Sequence, residues 1–251
     1  TTDDFPGRSL TRAYARFAPK AVRNAIGMVP SGDVDAVLDA SGFAFSDHWG
    51  TQAAENLLRK MQARPRNAQP LILLPQAFGP FTRQDVAKVS RQLFERAALV
   101  CARDQTSFDA VRALGITSPL RKYPDFTIGV TPAQVDSFAL PERFCAVVPN
   151  IRMLDKTNEG ETYLGFLRYI IEGLRARGMN PAFLIHDAVG DRKVAARLQA
   201  DGVQLPTYQH ADPRVLKGLL SKATLVVASR FHALVSAMSQ GVPCIGAGWS
   251  H

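Results

Sequence analysis

The chain has 251 residues, 46% hydrophobic and 21% charged, an ordinary globular composition that excludes a disordered or low-complexity protein. Thirty basic against 22 acidic residues give a net charge of +8, an excess that suits nucleic acid, an anionic membrane face or an anionic substrate without choosing among them. The length exceeds one typical domain, and no apolar run approaches the roughly 18 residues that cross a bilayer.

Residues 1 to about 32 form a basic, loosely amphipathic segment with Tyr14, Phe17, Val22 and Ile26 at approximate helical spacing. The segment is compatible with a peripheral membrane contact near a lipid-linked acceptor and equally with a solvated helix. No charged-then-apolar leader precedes it. The sequence starts at Thr1 and stops at His251 straight after an apolar strand, so a chain trimmed at both ends is expected.

From there strands and helices alternate. DAVLDA is followed by SGF and a helix from about Thr51. PLILLP leads through QAFGPF into a helix with Thr82 as its cap, Asp85 three residues on, and Val86, Val89, Leu93, Phe94 and Ala97 on one face. LVCAR precedes a helix from about Gln105 to Leu114, ended by Gly115. Periodicity lapses over TPAQVDSFALPERF, where Pro132 and Pro141 mark a linker. A second series follows: FCAVVPN, a helix carrying Leu164, Leu167, Ile171 and Leu174, PAFLIHD, and a helix near Asp191 to Leu198. A short strand at Gln204 to Tyr208 precedes a helix capped by Asp212 with Pro213 at its first position. TLVVAS then feeds a helix from about Arg230 to Gln240, and VPCIGAG is the last strand. This succession predicts an α/β fold of two Rossmann-like domains, residues 1–132 and 133–251, facing across a cleft.

Cys101, Cys145 and Cys244 each sit in an apolar, strand-like stretch and read as reduced core residues, which favours a cytoplasmic location. The basic residues are scattered over helix faces and form no tract, so no nucleic-acid partner is expected. The histidines, cysteines and carboxylates form no metal-ligand spacing, and neither a GxGxxG nor a Walker loop is present.

Parallel sheets bind ligands beyond the carboxyl ends of their strands, where helix N-termini converge. The residues that immediately follow the predicted strands are Ser41 and Gly42, Gln76 and Gly79, Arg103 and Asp104, Asn150 and Arg152, His186 and Asp187, and Ser229, Arg230 and His232. The sharpest segment is SRFHALVSAMSQGVP. Ser229 is suited to cap the helix, placing Arg230 and His232 in its first turn, where an anion would meet backbone amides, a guanidinium and an imidazole. The helix dipole disfavours a protonated imidazole and a bound phosphate favours it, which suits a general acid. The competing reading is a half-buried structural histidine beside a solvated arginine. His186, ending an apolar strand, divides evenly between the two kinds of role, and Trp49 reads as packing or as a sugar platform. The glycines Gly42, Gly79, Gly115 and Gly241 are each also explained by turn or helix-end geometry.

Together, SGFAFSDHWG, LLPQAFGPF, CARDQTSFDAVRALG, YPDFT and ASRFHALVSAMSQGVPCIGAGWSH resemble the polysaccharide pyruvyl transferase family, in the family's order over about residues 35 to 251. The resemblance implies a two-domain fold like the GT-B glycosyltransferases, an active site in the interdomain cleft, no metal or other cofactor, and phosphoenolpyruvate as donor with a sugar or lipid-linked glycan as acceptor. It further implies that Arg103 and Arg230 bind the carboxylate and phosphate of phosphoenolpyruvate and that His232 protonates the methylene carbon or assists phosphate departure. Ser41, Gly42, Gln76, Gly79, Asn150, Arg152, His186 and Ser229 would line the substrate site. The family's glycine-rich first strand and loop is not visible in residues 1 to 34. A nucleotide-sugar glycosyltransferase and a non-catalytic glycan-binding relative remain the alternatives, because a fold does not dictate its donor.

Overall fold

A computed structural model describes residues 19–27, 29, 34–62 and 69–248. Tyr14, Phe17 and His251 of the sequence reading lie outside the described residues. No described helix is long and apolar enough to cross a membrane. The chain divides into two compact units, Thr1–Phe126 and Thr127–His251.

In the first unit, helix α1 (Lys20–Ala25) precedes β1 (Val37–Asp39), α2 (Gln52–Gln62), β2 (Leu71–Gln76), α3 (Gln84–Phe94), β3 (Ala97–Ala102), α4 (Gln105–Ala113) and β4 (Leu120–Lys122). The four strands are all parallel and lie in their chain order, β1-β2-β3-β4. Crossovers of one hand that always step in one direction put every connecting helix on the same face. The core follows suit: Leu71, Leu73, Val100 and Ala102 of the sheet pack with Ala54, Leu58 and Met61 of α2, Val89, Leu93 and Phe94 of α3, and Val111 of α4. Phe45, Phe78 and Phe94 interlock within it, with ring centroids 5.2 to 6.3 Å apart.

The second unit opens with a 3-10 turn (Phe126–Gly129, its first residue ending the first unit) and continues with β5 (Phe144–Val148), α5 (Arg152–Asp155), α6 (Gly160–Ala176), β6 (Asn180–Ile185), α7 (Gly190–Ala200), β7 (Thr207–Gln209), α8 (Pro213–Ser221), β8 (Leu225–Ala228), α9 (Phe231–Met238) and β9 (Cys244–Gly246). The segment 127–135 packs against α8, which is why the division falls before Pro132. Lys217 Nζ donates to the carbonyls of Thr127 and Ile128 at 3.0 Å each, the Ala133 amide donates to Arg214 O, and Val135 is buried in the core.

This second sheet is also parallel, in the order β7-β6-β5-β8-β9. The chain starts in the middle, winds outward through β6 and β7, and returns to the other side of β5. Both faces are therefore covered, and residue parity shows it. Ala146, Val148, Leu184, Val226 and Ala228 face α8 and α9, while Cys145, Val147, Phe183, Ile185 and Val227 face α6 and α7. The reversal between β5 and β8 makes a topological switch point, where the two strand ends diverge. Two all-parallel α/β units in one chain agree with the Rossmann-like α/β fold expected from the sequence.

Candidate functional site

The switch point of the second unit collects seven of the residues picked out from the sequence. Asn150 and Arg152 follow β5, His186 and Asp187 follow β6, and Ser229, Arg230 and His232 follow β8. Asn150 is buried and ties the two diverging strand ends together: its side-chain amide donates to Ser229 O at 2.7 Å, and its own N–H donates to the Tyr163 hydroxyl at 3.1 Å. Burial raises the Tyr163 phenol, whose oxygen is also hydrogen-bonded to Ser229.

The local geometry differs from the expected cap. Ser229 is buried and engaged with Tyr163, so it does not close the helix. Arg230, extended at φ −104° and ψ 122°, occupies the N-cap position without a side-chain cap bond, and α9 begins at Phe231. His232 is thus the second residue of the helix, exposed, with its ring edge-on to Phe231 at 5.5 Å.

Arg230 is not a solvated arm. Its Nε donates to Asp191 Oδ2 at 2.8 Å and its Nη2 to Asp191 Oδ1 at 2.6 Å, with Asp187 Oδ2 at 3.4 Å. Asp191 is fully buried. This planar, two-pronged pairing takes one edge of the guanidinium and leaves Nη1 outside it. Asp187 accepts from the N–H groups of Gly190 and Val189, and these bonds, with Arg230, hold its carboxyl below the usual carboxylate range.

His186 lies among these charges. Burial, the Arg230 guanidinium and His232 push its imidazole down to about 4, so it is neutral at physiological pH, and its Nε2 is buried without a partner. Arg152 sends its Nη1 to Asp155 one turn along α5, at 2.6 Å, while its N–H is fixed by Asn150 Oδ1. Asp191 and Tyr163 complete the constellation and went unread in the sequence as site residues, whereas Asp187 already stood among the strand-end residues. Asp191 and Tyr163 lie within ordinary helical patterns, and only the fold brings them to the switch point.

The remaining residues cluster at the strand ends of the first unit. Ser41 Oγ lies 2.9 Å from both Asp39 Oδ2 and Gln76 Oε1, and Gln76 Nε2 donates to Asp39 at 2.8 Å. Gln76 is wholly buried, so this closed triangle joins the ends of β1 and β2. Gly42 and Gly79 have φ of +75° and +78°, and a side chain at Gly79 would press to 2.9 Å from Ala110 Cβ of α4. Both glycines are accounted for by turn geometry and close packing. Arg103 donates its N–H to Gln76 O, and its side chain lies 3.5 Å from Asp125 and 3.8 Å from Asp104. Burial lowers the Arg103 pKa, against the pull of Asp125 and Asp104. Trp49 and His48 pack edge-on to Phe43. Among the described residues no group of three or more His, Cys, Asp or Glu could hold a metal ion.

A family model for polysaccharide pyruvyl transferase matches residues 3–251. No curated protein sequence matches the chain. Among solved structures, the pneumococcal O-GlcNAc transferase GtfA, determined with UDP and GlcNAc, aligns at 11% identity and a TM-score of 0.51, covering 96% of this chain and 45% of its own. A protein from Listeria monocytogenes described as a UDP-N-acetylglucosamine 2-epimerase aligns at 12% identity and 0.52, over 96% of this chain and 63% of its own. The chain spans between about half and two thirds of the length of these structures, and at such identities the likeness is one of fold.

Proposed function

The chain belongs to the polysaccharide pyruvyl transferase family, and we propose that it moves the enolpyruvyl unit of phosphoenolpyruvate onto two hydroxyls of a glycan or lipid-linked sugar. One sugar hydroxyl adds to the central carbon as the methylene carbon takes a proton. The second displaces phosphate from that carbon, giving a cyclic ketal and inorganic phosphate. Phosphoenolpyruvate is small and carries several negative charges, so its seat needs donors fixed in advance of the reaction.

The observation that carries this reading is the convergence of Arg230, His232, Asn150 and His186 at the β5/β8 switch point, on the amide end of α9. Nη1 of Arg230 and the amide end of the helix suit the phosphate. His232 beside them suits the proton donor, since a bound dianion favours the imidazolium there. Neutral His186 suits acceptance of a hydrogen bond from an acceptor hydroxyl. Arg103, Ser41 and Gln76 of the first unit are further candidate substrate-binding residues, at the strand ends of their own sheet.

The test is phosphate release from phosphoenolpyruvate across a panel of sugar acceptors. His232→Ala is expected to abolish it, and near-normal turnover in that variant defeats the mechanism. Calorimetric binding of a nucleotide sugar, with none of phosphoenolpyruvate, would favour a glycosyltransferase instead. Sugar binding with neither donor would mark a glycan-binding relative.

A further inference from the structure

Resting on that reading of the switch-point site, we propose that Asp191 is its positioning residue: the buried carboxylate fixes the Arg230 guanidinium and, at the same time, the two loops that flank it. Asp191 stands at the second position of α7, in a stretch that reads as an ordinary polar helix start. Its side chain is wholly enclosed. Oδ1 accepts from Ile151 N at 3.0 Å and Arg230 Nη2 at 2.6 Å, and Oδ2 accepts from Asp187 N at 3.0 Å and Arg230 Nε at 2.8 Å.

A carboxylate offers about four lone-pair directions, and all four are taken. Asp191 therefore has no capacity left for a substrate. Its four donors come from three places: the loop after β5, the loop after β6, and the residue that caps α9. Those are the strand ends that surround the switch point, and one ionised group holds them in register. Because it grips Arg230 by Nε and Nη2 together, the guanidinium plane is set, and Nη1 is delivered in one direction. Gly190 makes the approach feasible, since a Cβ there would meet Asp187 Oδ2 and Ile151 Cγ2 at 2.7 Å each.

Asp191→Asn tests this. The amide keeps the volume, but whichever way it turns, its NH2 meets an N–H donor and the charge opposite Arg230 is lost. In the parent, the Arg230 Nε–Hε proton is expected to exchange slowly with solvent, and in the variant at least about an order of magnitude faster. The kcat/KM for phosphoenolpyruvate, normalised to folded protein, is expected to fall by about 100-fold, the cost of misplacing a group by an ångström. Asp191→Glu, which retains the charge one methylene further out, should fail to restore it. A residue that only supports the fold would lower stability and leave kcat/KM per folded molecule unchanged. Unchanged kcat/KM, or unchanged Arg230 exchange, overturns the inference while the phosphoenolpyruvate reading stands. A parent that releases no phosphate with any acceptor sinks that reading instead, and the Arg230 exchange rate still decides the role of Asp191. If Asp191→Asn does not unfold cooperatively, Asp191→Glu is judged by the same two measurements.

Discussion

Arg103 and Asp125 meet as an enclosed ion pair, with Nη1 3.5 Å from Oδ2 and side chains only 10% and 4% exposed. The pair joins the turn after β3 to the YPDFT segment after β4, so two motifs that look separate in the sequence are one electrostatic unit. Burial opposes the charge on Arg103, and Asp125 and Asp104 offset that opposition.

Removing one partner of such a pair strands the other charge. Asp125→Ala is expected to destabilise the protein by about 3 kcal/mol. Urea unfolding should show a lower midpoint with an unchanged slope. Loss of less than about 0.5 kcal/mol, the range of ordinary surface substitutions, would mean that water or another group already compensates Arg103.

The start of α3 shows how a cap can be misread. The sequence offers Thr82, but the structure places Arg83 at the N-cap with no side-chain bond of its own. The cap comes from Asp47, whose carboxylate accepts from Thr82 N at 2.7 Å and Thr82 Oγ1 at 2.6 Å, with Arg83 N at 3.3 Å. Asp47→Ala should therefore cost about 1 kcal/mol, the usual worth of a capping group, in thermal or urea unfolding. Thr82→Val, which keeps the N–H to Asp47, should cost less than Asp47→Ala. The reverse order would restore Thr82 as the cap.

Elements whose signal is local were legible in the sequence. The apolar stretches LILLP, FCAVV and LVVA are strands, and the Asp212-Pro213 start is a true cap, with Asp212 accepting from Arg214 N at 2.8 Å. Strand-end reasoning likewise placed Asn150, His186 and Arg230 just after strands, where the structure has them. What it missed depends on partners far along the chain: Asp191 reaching Arg230, Tyr163 reaching Asn150 and Ser229, Asp47 reaching Thr82. No periodicity encodes such pairs, because each side chain also fits a bland local role. Ser229 is the instructive case, since its type suits a helix cap but its burial commits it to Tyr163.

Gly218 of α8 marks the place where the segment after the first unit lies against the second core. A Cβ there would come within 2.3 Å of Ala133 O and 2.9 Å of Val135 Cγ1. A backbone carbonyl cannot rotate aside as a side chain can, so Gly218→Ala must displace residues 133–135. The expected cost is about 3 kcal/mol, the upper end for overpacking, and the melting temperature reports it. A helix-interior glycine normally gains stability on replacement by alanine, so a raised melting temperature would show that this packing is looser than described.

His186 gives the second unit a definite pH signature. Its folded value of about 4 lies below the ordinary 6.5, because burial and the nearby Arg230 and His232 oppose the imidazolium. The unfolded chain then binds more protons than the folded one between those two values, so stability rises with pH across that window. The contribution is complete above about pH 6.5 and is lost as pH falls towards 4, with a ceiling of about 3 kcal/mol from the size of the displacement. Carboxylates titrate in the lower part of the same window, so the comparison is made with His186→Gln, which removes only the imidazole. Unfolding free energies of the two proteins, measured from pH 7.5 to 4, should converge as the pH falls, with the parent showing the steeper slope. Parallel curves would place a water or a carboxylate beside Nε2, and the neutral hydrogen-bonding role assigned to His186 would go with them.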